Sequence, residues 1–508
     1  MSKGIVDHNT WATRADLAVA RGLEGRAFID GRLVSSLSEA TFPAHSPIDG
    51  RFLADIAACE PADVDRAVSS ARRAFVDRRW AGLDLSRRKA ILLDFAAHIE
   101  RHAEELALLE TLDMGKSITD SLISDVPSTV RAFRWYAEAL DKVYGEVAPT
   151  PTSSMAFVTR EPLGVVAAVV PWNFPMIMAA WKIAPALAVG NSVVLKPAEQ
   201  SSLTAIRLAM LASESGFPDG VFNVVTGLGP IVGKALGTHM DVDGAFFTGS
   251  TTVGKKFLEY SGQSNMKKIG LECGGKSAHI ILRDCSMLEE AARSAVEGIF
   301  YNQGEMCTAG SRLIVERPIK DRVLDYVIKL SDAFYPRDPL DPDCRLGALV
   351  DTHHTDTVMG YIRSGKEEGG RMLKGGNQVF PVEGGCYVEP TIFDNVTNTM
   401  TIARQEIFGP VLSVIEVDSA EEAVVVANDS EYGLAAAVWS DNVNTVHHVT
   451  HSLRAGMVYA NCYDADDITV PFGGYRQSGI GRDKSLHAFD KYTEIKTTWL
   501  QLHGGVPR

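Results

Sequence analysis

Hydrophobic and polar positions divide the chain into predicted helices and strands. Residues 88–112 carry Ala, Leu and Glu at helical spacing and contain no Pro or Gly, which predicts helix. From residue 163 onward, short β-branched runs alternate with Ala-rich helical stretches. The predicted strands are 165–170, 192–196, 221–226, 244–248, 279–282 and 312–316. The predicted helices between them are 175–189, 202–215, 229–237, 252–261 and 288–301.

The same alternation returns after residue 351. Helices are predicted over 356–368, 420–428 and 445–453, with strands around 411–417 and 435–439. Alternating strands and helices form crossover connections, which produce a largely parallel sheet covered on both faces. The pattern therefore predicts an α/β fold with two such domains.

Composition narrows the class of protein. The 508 residues are 45% hydrophobic and 22% charged, which is typical of globular chains, and the length suggests about two to four domains. No apolar run reaches the roughly 18 residues needed to span a bilayer, and the amino-terminal sequence lacks an apolar signal segment. The net charge of −14 is dispersed and includes no basic block, so nucleic acid is not an expected partner. We expect a cytoplasmic protein that does not contact membranes.

Cysteine usage points to reduced thiols. The seven cysteines are an odd number, widely spread and without a C-x-x-C pair. Cys307 lies in NQGEMCTAGSR (302–312), between the end of a predicted helix and the start of a predicted strand. Polar and small neighbours on a loop suit a nucleophilic thiol. The alternative is a small buried hydrophobic residue, the commoner role of a lone cysteine.

Two further residues could take part in chemistry with such a thiol. Glu272 stands between apolar and glycine residues in LECGGKS (271–277), where a buried carboxylate could act as a general base, although an exposed turn glutamate is an equal alternative. Asn173 follows a predicted strand in PWNFP (171–175), where its amide could hold an oxyanion or simply form a turn.

Three segments suggest dinucleotide binding. Lys196 and Glu199 follow a predicted strand, and a carboxylate there can hold ribose hydroxyls. A strand, a Gly-Ser turn and a helix start follow one another in 246–254, where backbone N–H groups could receive a pyrophosphate. The segment 227–233 offers another glycine-rich helix start. No G-x-S-x-G serine elbow and no recognised metal-ligand arrangement is present in the sequence.

Together these motifs closely resemble the aldehyde dehydrogenase superfamily, whose members oxidise aldehydes to acids with NAD(P). The resemblance covers nearly the whole chain, and the motifs stand in family order. They are PWNFP at 171–175, KPAE at 196–199, FTGST at 247–251, LECGGK at 271–276, GEMC at 304–307, EIFGPV at 406–411 and PFGG at 471–474. Cys273 and Glu305 depart from the usual family residues without removing a catalytic group.

The resemblance implies roles for individual residues. Cys307 would attack the aldehyde carbon, the Asn173 side chain and the Cys307 N–H would hold the oxyanion, and Glu272 would activate the water that hydrolyses the thioester. NAD is the implied cofactor, because a carboxylate at Glu199 repels a 2′-phosphate. The implied cofactor-binding residues are Val170, Trp172, Lys196, Glu199, Gly229, Gly249, Ser250, Val253, Glu406 and Phe408.

The resemblance also implies how the chain is organised. It predicts a Rossmann-type NAD-binding domain over residues 1–142 and 161–273 and an α/β catalytic domain over 274–477. A small β-oligomerisation element would comprise 143–160 and 478–508, and its alternating residues 493–499 suit an added strand. A homodimer or homotetramer follows.

Two segments, 133–144 and 467–488, look like the bacterial branch that oxidises γ-glutamyl-γ-aminobutyraldehyde and 4-guanidinobutyraldehyde in polyamine and arginine catabolism. Asp125 and the acids Asp464, Asp466 and Asp467 ahead of the PFGG turn could then meet a cationic tail, although loop aspartates are also ordinary turn residues. Phe174, Trp181 and Met306 would line an apolar passage for the methylene chain.

Other functions remain as alternatives. One is a broad-specificity aliphatic or betaine aldehyde dehydrogenase. Another is a CoA-acylating semialdehyde dehydrogenase, which the presence of Glu272 disfavours because such relatives generally lack that acid. A binding protein on an inactive scaffold is disfavoured by the intact Cys307, Glu272 and Asn173.

Overall fold

The computed structural model describes residues 7–503. Residues 1–6 and 504–508 lie outside the described residues. They include one end of the predicted NAD-binding domain, one end of the predicted oligomerisation element and most of the amino-terminal sequence considered above. The helices are α1 (His8–Arg21), α2 (Pro61–Val76), α3 (Leu85–Arg101), α4 (Ala103–Met114), α5 (Ile118–Asp120), α6 (Val126–Ala139), α7 (Pro175–Ala188), α8 (Leu203–Glu214), α9 (Lys234–Thr238), α10 (Thr251–Gln263), α11 (Leu288–Phe300), α12 (Lys320–Leu330), α13 (Thr352–Glu367), α14 (Thr401–Arg404), α15 (Ala420–Asn428), α16 (Val443–Ser452) and α17 (Phe489–Tyr492).

The strands belong to two large sheets and three small ones. They are β1 (Ala27–Ile29), β2 (Arg32–Val34), β3 (Thr41–His45), β4 (Phe52–Ala57), β5 (Glu146–Ala148), β6 (Ser154–Pro162), β7 (Val165–Val169), β8 (Ser192–Lys196), β9 (Phe222–Val224), β10 (Gly244–Thr248), β11 (Lys268–Glu272), β12 (Ala278–Ile281), β13 (Arg312–Glu316), β14 (Arg371–Lys374), β15 (Gln378–Val379), β16 (Tyr387–Val388), β17 (Thr391–Asp394), β18 (Val411–Val417), β19 (Ala435–Trp439), β20 (Met457–Ala460), β21 (Gly479–Ile480) and β22 (Thr493–Gln501).

The first large sheet has the order β2-β1-β9-β8-β7-β10-β11-β21, and its five central strands run parallel. Every residue of β7, β8 and β10 is buried, because helices cover both faces. Helices α3, α6, α7 and α8 pack on one face, and α2, α9 and α10 on the other. The predicted α/β architecture is confirmed for this part of the chain.

The second large sheet has the order β14-β17-β18-β13-β12-β19-β20 and is parallel apart from the edge strand β14. Helices α11 and α12 pack on one face, while α13, α15 and α16 pack on the other. Only five residues, 273–277, connect β11 of the first sheet to β12 of the second. This short connection joins the carboxyl end of β11 to the amino end of β12, which lies inside the second sheet between β13 and β19.

The third sheet is antiparallel, with the order β22-β6-β5. Strand β22 pairs with β6 along its whole length, from Thr493 opposite Pro162 to Gln501 opposite Ser154. Strand β21 does not belong to this third sheet. Its residues Gly479 and Ile480 pair with the carboxyl end of β11 in the first large sheet. The carboxyl-terminal segment therefore contributes first to the large sheet and then to the small one.

Residues 88–112 form two helices rather than one. Helix α3 ends at Arg101 and α4 begins at Ala103, and the His102 ring lies 2.7 Å from the Glu105 carboxylate in the first turn of α4. A break without Gly or Pro leaves no signal in the hydrophobic spacing. Within residues 7–503, no helix combines the length and the apolar character required to cross a bilayer. All seven cysteines lie in this part of the chain and are free thiols.

Candidate active site

The predicted site residues gather where the parallel strands of the first sheet end. From β7 the chain builds β8 and β9 on one side and then returns to add β10 and β11 on the other. Ligands of such sheets bind at the carboxyl ends of the strands, near the point where the strand order reverses. Asn173 follows β7, Lys196 ends β8 and Glu199 follows it, and Glu272 ends β11.

The loop that carries Cys307 has an unusual backbone. Asn302, Gln303 and Gly304 have φ angles of 47°, 59° and 72°, which puts three consecutive residues in the left-handed region. A Cβ at Gly304 would lie 2.4 Å from the carbonyl oxygen of Gly409, so only glycine fits there. The loop turns sharply out of α11 and presents Cys307 before β13 begins.

Side-chain amides fix this loop to the first sheet. The Asn173 Nδ2 donates a hydrogen bond to the carbonyl oxygen of Glu305 at 2.8 Å. The Asn302 Nδ2 donates to the carbonyl oxygens of Asn173 and Glu305 at 3.1 and 3.2 Å. Asn173 and the nucleophile loop are therefore held against each other, and one Nδ2 hydrogen of Asn173 remains for another acceptor.

Cys307 has partial solvent exposure, unlike Cys59, Cys273, Cys285 and Cys386, which are buried. Burial of the sulfur, together with the charges of nearby Glu406, Asp464 and Glu272, raises the pKa of the Cys307 thiol above its ordinary value. The thiol is thus held in its protonated form and needs a base to become a nucleophile.

Glu272 is a buried carboxylate with neither oxygen hydrogen-bonded to any of the residues described. A Cβ at Gly473 would lie 2.8 Å from Glu272 Oε1, so the carboxylate packs against a glycine backbone. Burial and then the charge of Asp483 raise the pKa of Glu272 to about 8, a value suited to general-base catalysis. An unpartnered, desolvated carboxylate is the form that the sequence analysis proposed for this residue.

Behind Glu272 lies a buried charge cluster that the sequence analysis did not find. Asp483 is 1% exposed; Lys182 Nζ binds its Oδ2 at 2.5 Å, and Lys491 Nζ binds its Oδ1. Lys182 could have been noticed as a cation inside an otherwise apolar helix, α7. Asp483 and Lys491 gave no signal, because their partners are distant in sequence.

The residues predicted for an adenosine ribose lie together. Lys196 Nζ lies 3.0 Å from Glu199 Oε2, and Lys196 is buried while Glu199 is partly exposed. The Val170 N–H donates to the carbonyl oxygen of Lys196 at 3.1 Å, which places the ends of β7 and β8 side by side. At Gly229 an added Cβ would lie 3.9 Å from both Glu199 oxygens, so this glycine stands at ordinary contact distance from the carboxylate.

The predicted pyrophosphate residues lie at the start of α10. The Ser250 hydroxyl accepts a hydrogen bond from the Val253 N–H at 3.3 Å and caps the helix. The Gly249 N–H donates to the carbonyl oxygen of Glu272 at 3.0 Å. The buried Thr248 hydroxyl beside it has no hydrogen-bond partner among the described residues. This strand end therefore offers polar groups to a ligand.

Glu406 reaches the junction between the two large sheets. Its Oε1 accepts a hydrogen bond from the Gly275 N–H at 3.0 Å, and a Cβ at Gly274 would lie 1.8 Å from its Oε2. Burial raises the pKa of Glu406 to about 7. Lys276, buried beside it, has no hydrogen-bond partner for its ammonium group within residues 7–503. Glycine at 274 is what permits this approach.

An aromatic cluster stands next to Glu406. The rings of Trp172 and Phe408 meet edge to face at 5.2 Å, and the His354 ring lies 5.2 Å from Trp172. The His354 Nε2 donates to the carbonyl oxygen of Phe408 at 2.7 Å, and Phe408 has a φ of 57°. Trp172 and Phe408 carry family motifs in the sequence, whereas His354, near the start of α13, belongs to none.

A cleft of about 800 Å³ reaches the loop that carries Cys307 at Met306, although Cys307 itself does not line it. Met306 lines it directly, whereas Phe174 stacks on the lining residue Tyr301 with ring centroids 6.4 Å apart. Trp181 packs against Phe472 at 5.1 Å. Arg345 is the one basic residue that lines this cleft within the described part of the chain, and the acidic lining residues outnumber it. The acidic lining residues are Asp120, Glu290, Glu297, Asp343 and Asp464.

Of the acids predicted for a cationic tail, Asp464 lines this cleft, whereas Asp125, Asp466 and Asp467 do not. Asp125 is fully buried and its carboxylate binds the ammonium group of Lys116 at 2.5 Å, so it faces the protein interior. Asp466 lies on the surface and pairs with Lys484. Asp120, which was not predicted, lines the cleft with Asp464, and burial raises the pKa values of Asp120 and Asp464 to about 7 and about 6.

Comparison with known proteins gives consistent matches along the chain. A model described as "Aldehyde dehydrogenase family" matches residues 33–498. The NADP/NAD-dependent aldehyde dehydrogenase PuuC of Escherichia coli is 50% identical over 487 residues, which are 96% of this chain and 98% of that protein.

Two solved structures are similar over their whole length. The indole-3-acetaldehyde dehydrogenase AldA of P. syringae, in complex with NAD+ and IAA, is 56% identical with a TM-score of 0.96, covering 98% of this chain and 100% of that one. The γ-glutamyl-γ-aminobutyraldehyde dehydrogenase of Burkholderia cenocepacia is 55% identical with a TM-score of 0.96 and the same coverage.

Proposed function

The chain belongs to the aldehyde dehydrogenase family, and on that premise we propose how its residues oxidise an aldehyde to a carboxylic acid with NAD. One observation supports the assignment most: the loop of the partly exposed thiol Cys307 packs against the segment that follows Glu272, a buried carboxylate without a bonded partner among the described residues. A Cβ at Gly275, three residues after Glu272, would lie 2.5 Å from the Cys307 carbonyl oxygen. A nucleophile next to an unengaged base is the arrangement that covalent catalysis requires.

In the first step, the Cys307 sulfur attacks the carbonyl carbon of the aldehyde, and the thiol proton passes to Glu272. The resulting oxyanion is stabilised by the remaining Nδ2 hydrogen of Asn173 and by the Cys307 backbone N–H. Both donors are fixed before substrate arrives, because Asn173 is already bonded to the loop through Glu305. Donors that need no rearrangement stabilise the developing charge most effectively.

Loss of hydride from the thiohemiacetal carbon gives the thioester on Cys307, and Glu272 releases to solvent the proton that it took from the thiol. In the second step, Glu272 removes a proton from water, which attacks the thioester and releases the acid. The sulfur leaves and regains a proton, which restores the starting thiol. When bound, NAD+ supplies the hydride acceptor that the oxidation requires. Glu272 has no hydrogen-bond partner to give up before it can bind water, within the part of the chain described.

The residues around the strand ends fit a dinucleotide. The features that support this fit are the Glu199 carboxylate next to Gly229, the Thr248 hydroxyl, which has no partner among the described residues, and the carboxylate of Glu406 at Gly274. Lys196 and Glu199 would hold the adenosine ribose, with Val170 and Gly229 beside it. Gly249, Ser250 and Val253 would hold the pyrophosphate at the start of α10. Glu406 would hold the nicotinamide ribose, with Phe408 and Trp172 packed next to it.

For the substrate, we infer an aldehyde with a cationic tail, such as a 4-amino- or 4-guanidinobutyraldehyde, or its γ-glutamyl derivative. The acidic lining of the cleft supports this inference, because several carboxylates face one arginine. Asp464 is the best candidate for direct contact, since its charge also reaches Cys307. Indole-3-acetaldehyde is a second candidate, favoured by the likeness to AldA and by the aromatic residues Tyr301, Phe334, Trp439 and Tyr463 in the same cleft.

A substrate panel separates these candidates. kcat/KM is measured for 4-guanidinobutyraldehyde, 4-aminobutyraldehyde, γ-glutamyl-γ-aminobutyraldehyde, betaine aldehyde, indole-3-acetaldehyde and an aliphatic aldehyde of equal length, with NAD and NADP in parallel. We expect the cationic aldehydes to be preferred, and Asp464→Asn to lower kcat/KM for them by about tenfold while sparing the aliphatic control. If the aliphatic aldehyde is the best substrate, the cationic-tail proposal is wrong.

The catalytic roles have their own test. Cys307→Ala is expected to abolish NADH formation while leaving NAD+ binding intact. Glu272→Gln is expected to keep a first burst of NADH but to slow steady turnover by about 10²–10⁴-fold, the usual contribution of a general base. Undiminished steady turnover in Glu272→Gln would contradict its role as the base.

The organisation of the protein is also a proposal. We propose the division into a NAD-binding domain, a catalytic domain and an oligomerisation element with the boundaries given above, and a homodimer or homotetramer formed through the three-stranded sheet. Exposed Ile495 and Trp499, at 64% and 58% of their full exposure, support this interface. The free cysteines support a reducing, cytoplasmic location.

A further inference from the structure

A single buried aspartate near the site binds two lysines from different parts of the chain. Lys182 of helix α7 binds one carboxylate oxygen of Asp483, and Lys491 of helix α17 binds the other. The backbone of Asp483 is also fixed, because it exchanges two hydrogen bonds of 2.7 and 2.8 Å with Phe472. The position of this carboxylate is therefore fully determined by its surroundings.

Lys491 reaches Asp483 through a passage that two glycines leave open. A Cβ at Gly270 would lie 3.2 Å from the Cδ of Lys491, and a Cβ at Gly481 would lie 3.0 Å from the same atom. Gly270 is two residues before Glu272 on β11, so the lysine stem runs alongside the strand that carries the base. The ammonium group also lies 5.8 Å from the Phe246 ring. The passage is built for a long side chain that ends in a charge.

The charges of this cluster do not cancel. Asp483 supplies one negative charge and the two lysines supply two positive charges, so the buried triad has one excess positive charge. Glu272 in its ionised form supplies the missing negative charge. Because charges in a buried environment are poorly screened, this excess acts on Glu272 more strongly than a surface charge would.

The groups that face Glu272 come from several elements. Arg482 is the remaining cation, but it is partly exposed and donates to the carbonyl oxygens of Gly474 and Gly481 at 3.1 and 2.6 Å. The neutral titratable groups that face Glu272 are Cys273, Cys307 and Tyr492. Asp483 is the anion that opposes ionisation of Glu272, and Lys182 and Lys491 are the buried cations that favour it.

We propose that Lys491 is a positioning residue for the catalytic base, because it completes the buried triad and supplies the positive charge against which Glu272 ionises. The proposal rests on the assignment of Glu272 as the base. Without Lys491, Asp483 and Lys182 would form a neutral pair, and ionised Glu272 would be an uncompensated buried charge. Hydrolysis of the thioester would then require a higher pH.

The test compares two variants of the full chain. Lys491→Met keeps a long side chain and removes the charge, whereas Lys491→Arg keeps the charge. The pH profile of acid release from the acyl-enzyme is measured by rapid quench after one turnover, with 4-aminobutyraldehyde and saturating NAD+. We expect the acidic limb of Lys491→Met to move up by about one pH unit, a tenfold loss of rate at low pH that disappears at high pH. Lys491→Arg should follow the native profile.

Control variants separate the possible outcomes. Lys329→Met removes an exposed lysine of α12 and should leave the profile unchanged. A Lys491→Met profile that coincides with the native one overturns the proposal, and so does a Lys491→Arg profile displaced as far as that of Lys491→Met. If Lys491→Met does not fold, Lys491→Gln is measured in the same way and decides between the same outcomes. Native turnover in Glu272→Gln would instead overturn the assignment of the base itself.

Discussion

Glycine at position 274 leaves the space that the Glu406 carboxylate occupies, and replacing it tests the proposed cofactor site. In Gly274→Ala the new Cβ would lie 1.8 Å from Glu406 Oε2, so the carboxylate must withdraw by roughly 1.6 Å to reach ordinary contact. The atom that must move is the end of a flexible side chain, so the fold should persist. The movement breaks the 3.0 Å hydrogen bond from the Gly275 N–H and draws the carboxylate away from the nicotinamide ribose.

A hydrogen bond to a charged group contributes about 1.5–3 kcal/mol, so KM for NAD+ should rise by roughly 10–100-fold. The assay is the initial rate of NADH formation as a function of NAD+ concentration, with calorimetric titration of NAD+ as an independent measure of binding. The matched control is Gly262→Ala, on the exposed side of α10, where an added Cβ meets no atom within 4 Å. If Gly274→Ala binds NAD+ as the native chain does while Gly262→Ala also remains native, Glu406 does not hold the ribose.

Three further predictions follow from other parts of the structure. Glu199→Gln should reduce the preference for NAD over NADP by about tenfold, because a neutral amide no longer repels a 2′-phosphate; an unchanged preference in parallel kinetics would contradict this role. Trp499→Asp should lower the particle mass measured by light scattering, because a charge replaces an exposed apolar residue of β22 at the proposed interface, and an unchanged mass would place the interface elsewhere. Burial raises the pKa of Glu305 well above its ordinary value, so the folded chain keeps a proton on this carboxyl group that the unfolded chain releases. The free energy of unfolding therefore falls as the pH rises above about 4.5. Glu305→Gln should therefore gain stability relative to the native chain between about pH 5 and pH 8 in thermal melts, and a constant difference across that range would show that Glu305 is ionised.

Local sequence was enough to predict the residues whose function depends on strand ends. Asn173 and Glu272 stand at the carboxyl ends of β7 and β11, and Cys307 stands just before β13. The carboxyl ends of β7 and β11 lie at one edge of the first sheet, whereas Cys307 precedes the amino end of a strand in the second sheet. Local sequence therefore predicted the sheet edge for Asn173, and the family resemblance predicted that Cys307 and Glu272 act with it.

Features that depend on long-range packing were not predictable in this way. The π-helical turn Ser121–Asp125 inserts an extra residue between α5 and α6 and changes which acid faces the cleft. Asp120 consequently lines the cleft while Asp125 binds Lys116 in the interior. The regular helical spacing of hydrophobic residues in the sequence does not reveal where such a turn occurs. The triad around Asp483 escaped prediction for a related reason: about three hundred positions separate Lys182 from its partner.

The left-handed backbone at Asn302–Gly304 has a consequence for how the enzyme loses activity. Non-glycine residues in this conformation cost on the order of 1 kcal/mol each, and here the cost is offset by hydrogen bonds to Asn173, from Gly347 to the Gln303 side chain and from Val350 to the Glu305 side chain. These anchors come from distant segments, so loosening any one of them lets the loop relax to an ordinary turn while both large sheets stay intact. Inactivation by heat or denaturant should thus precede unfolding, and the accessibility of Cys307 to thiol reagents would register the earlier event.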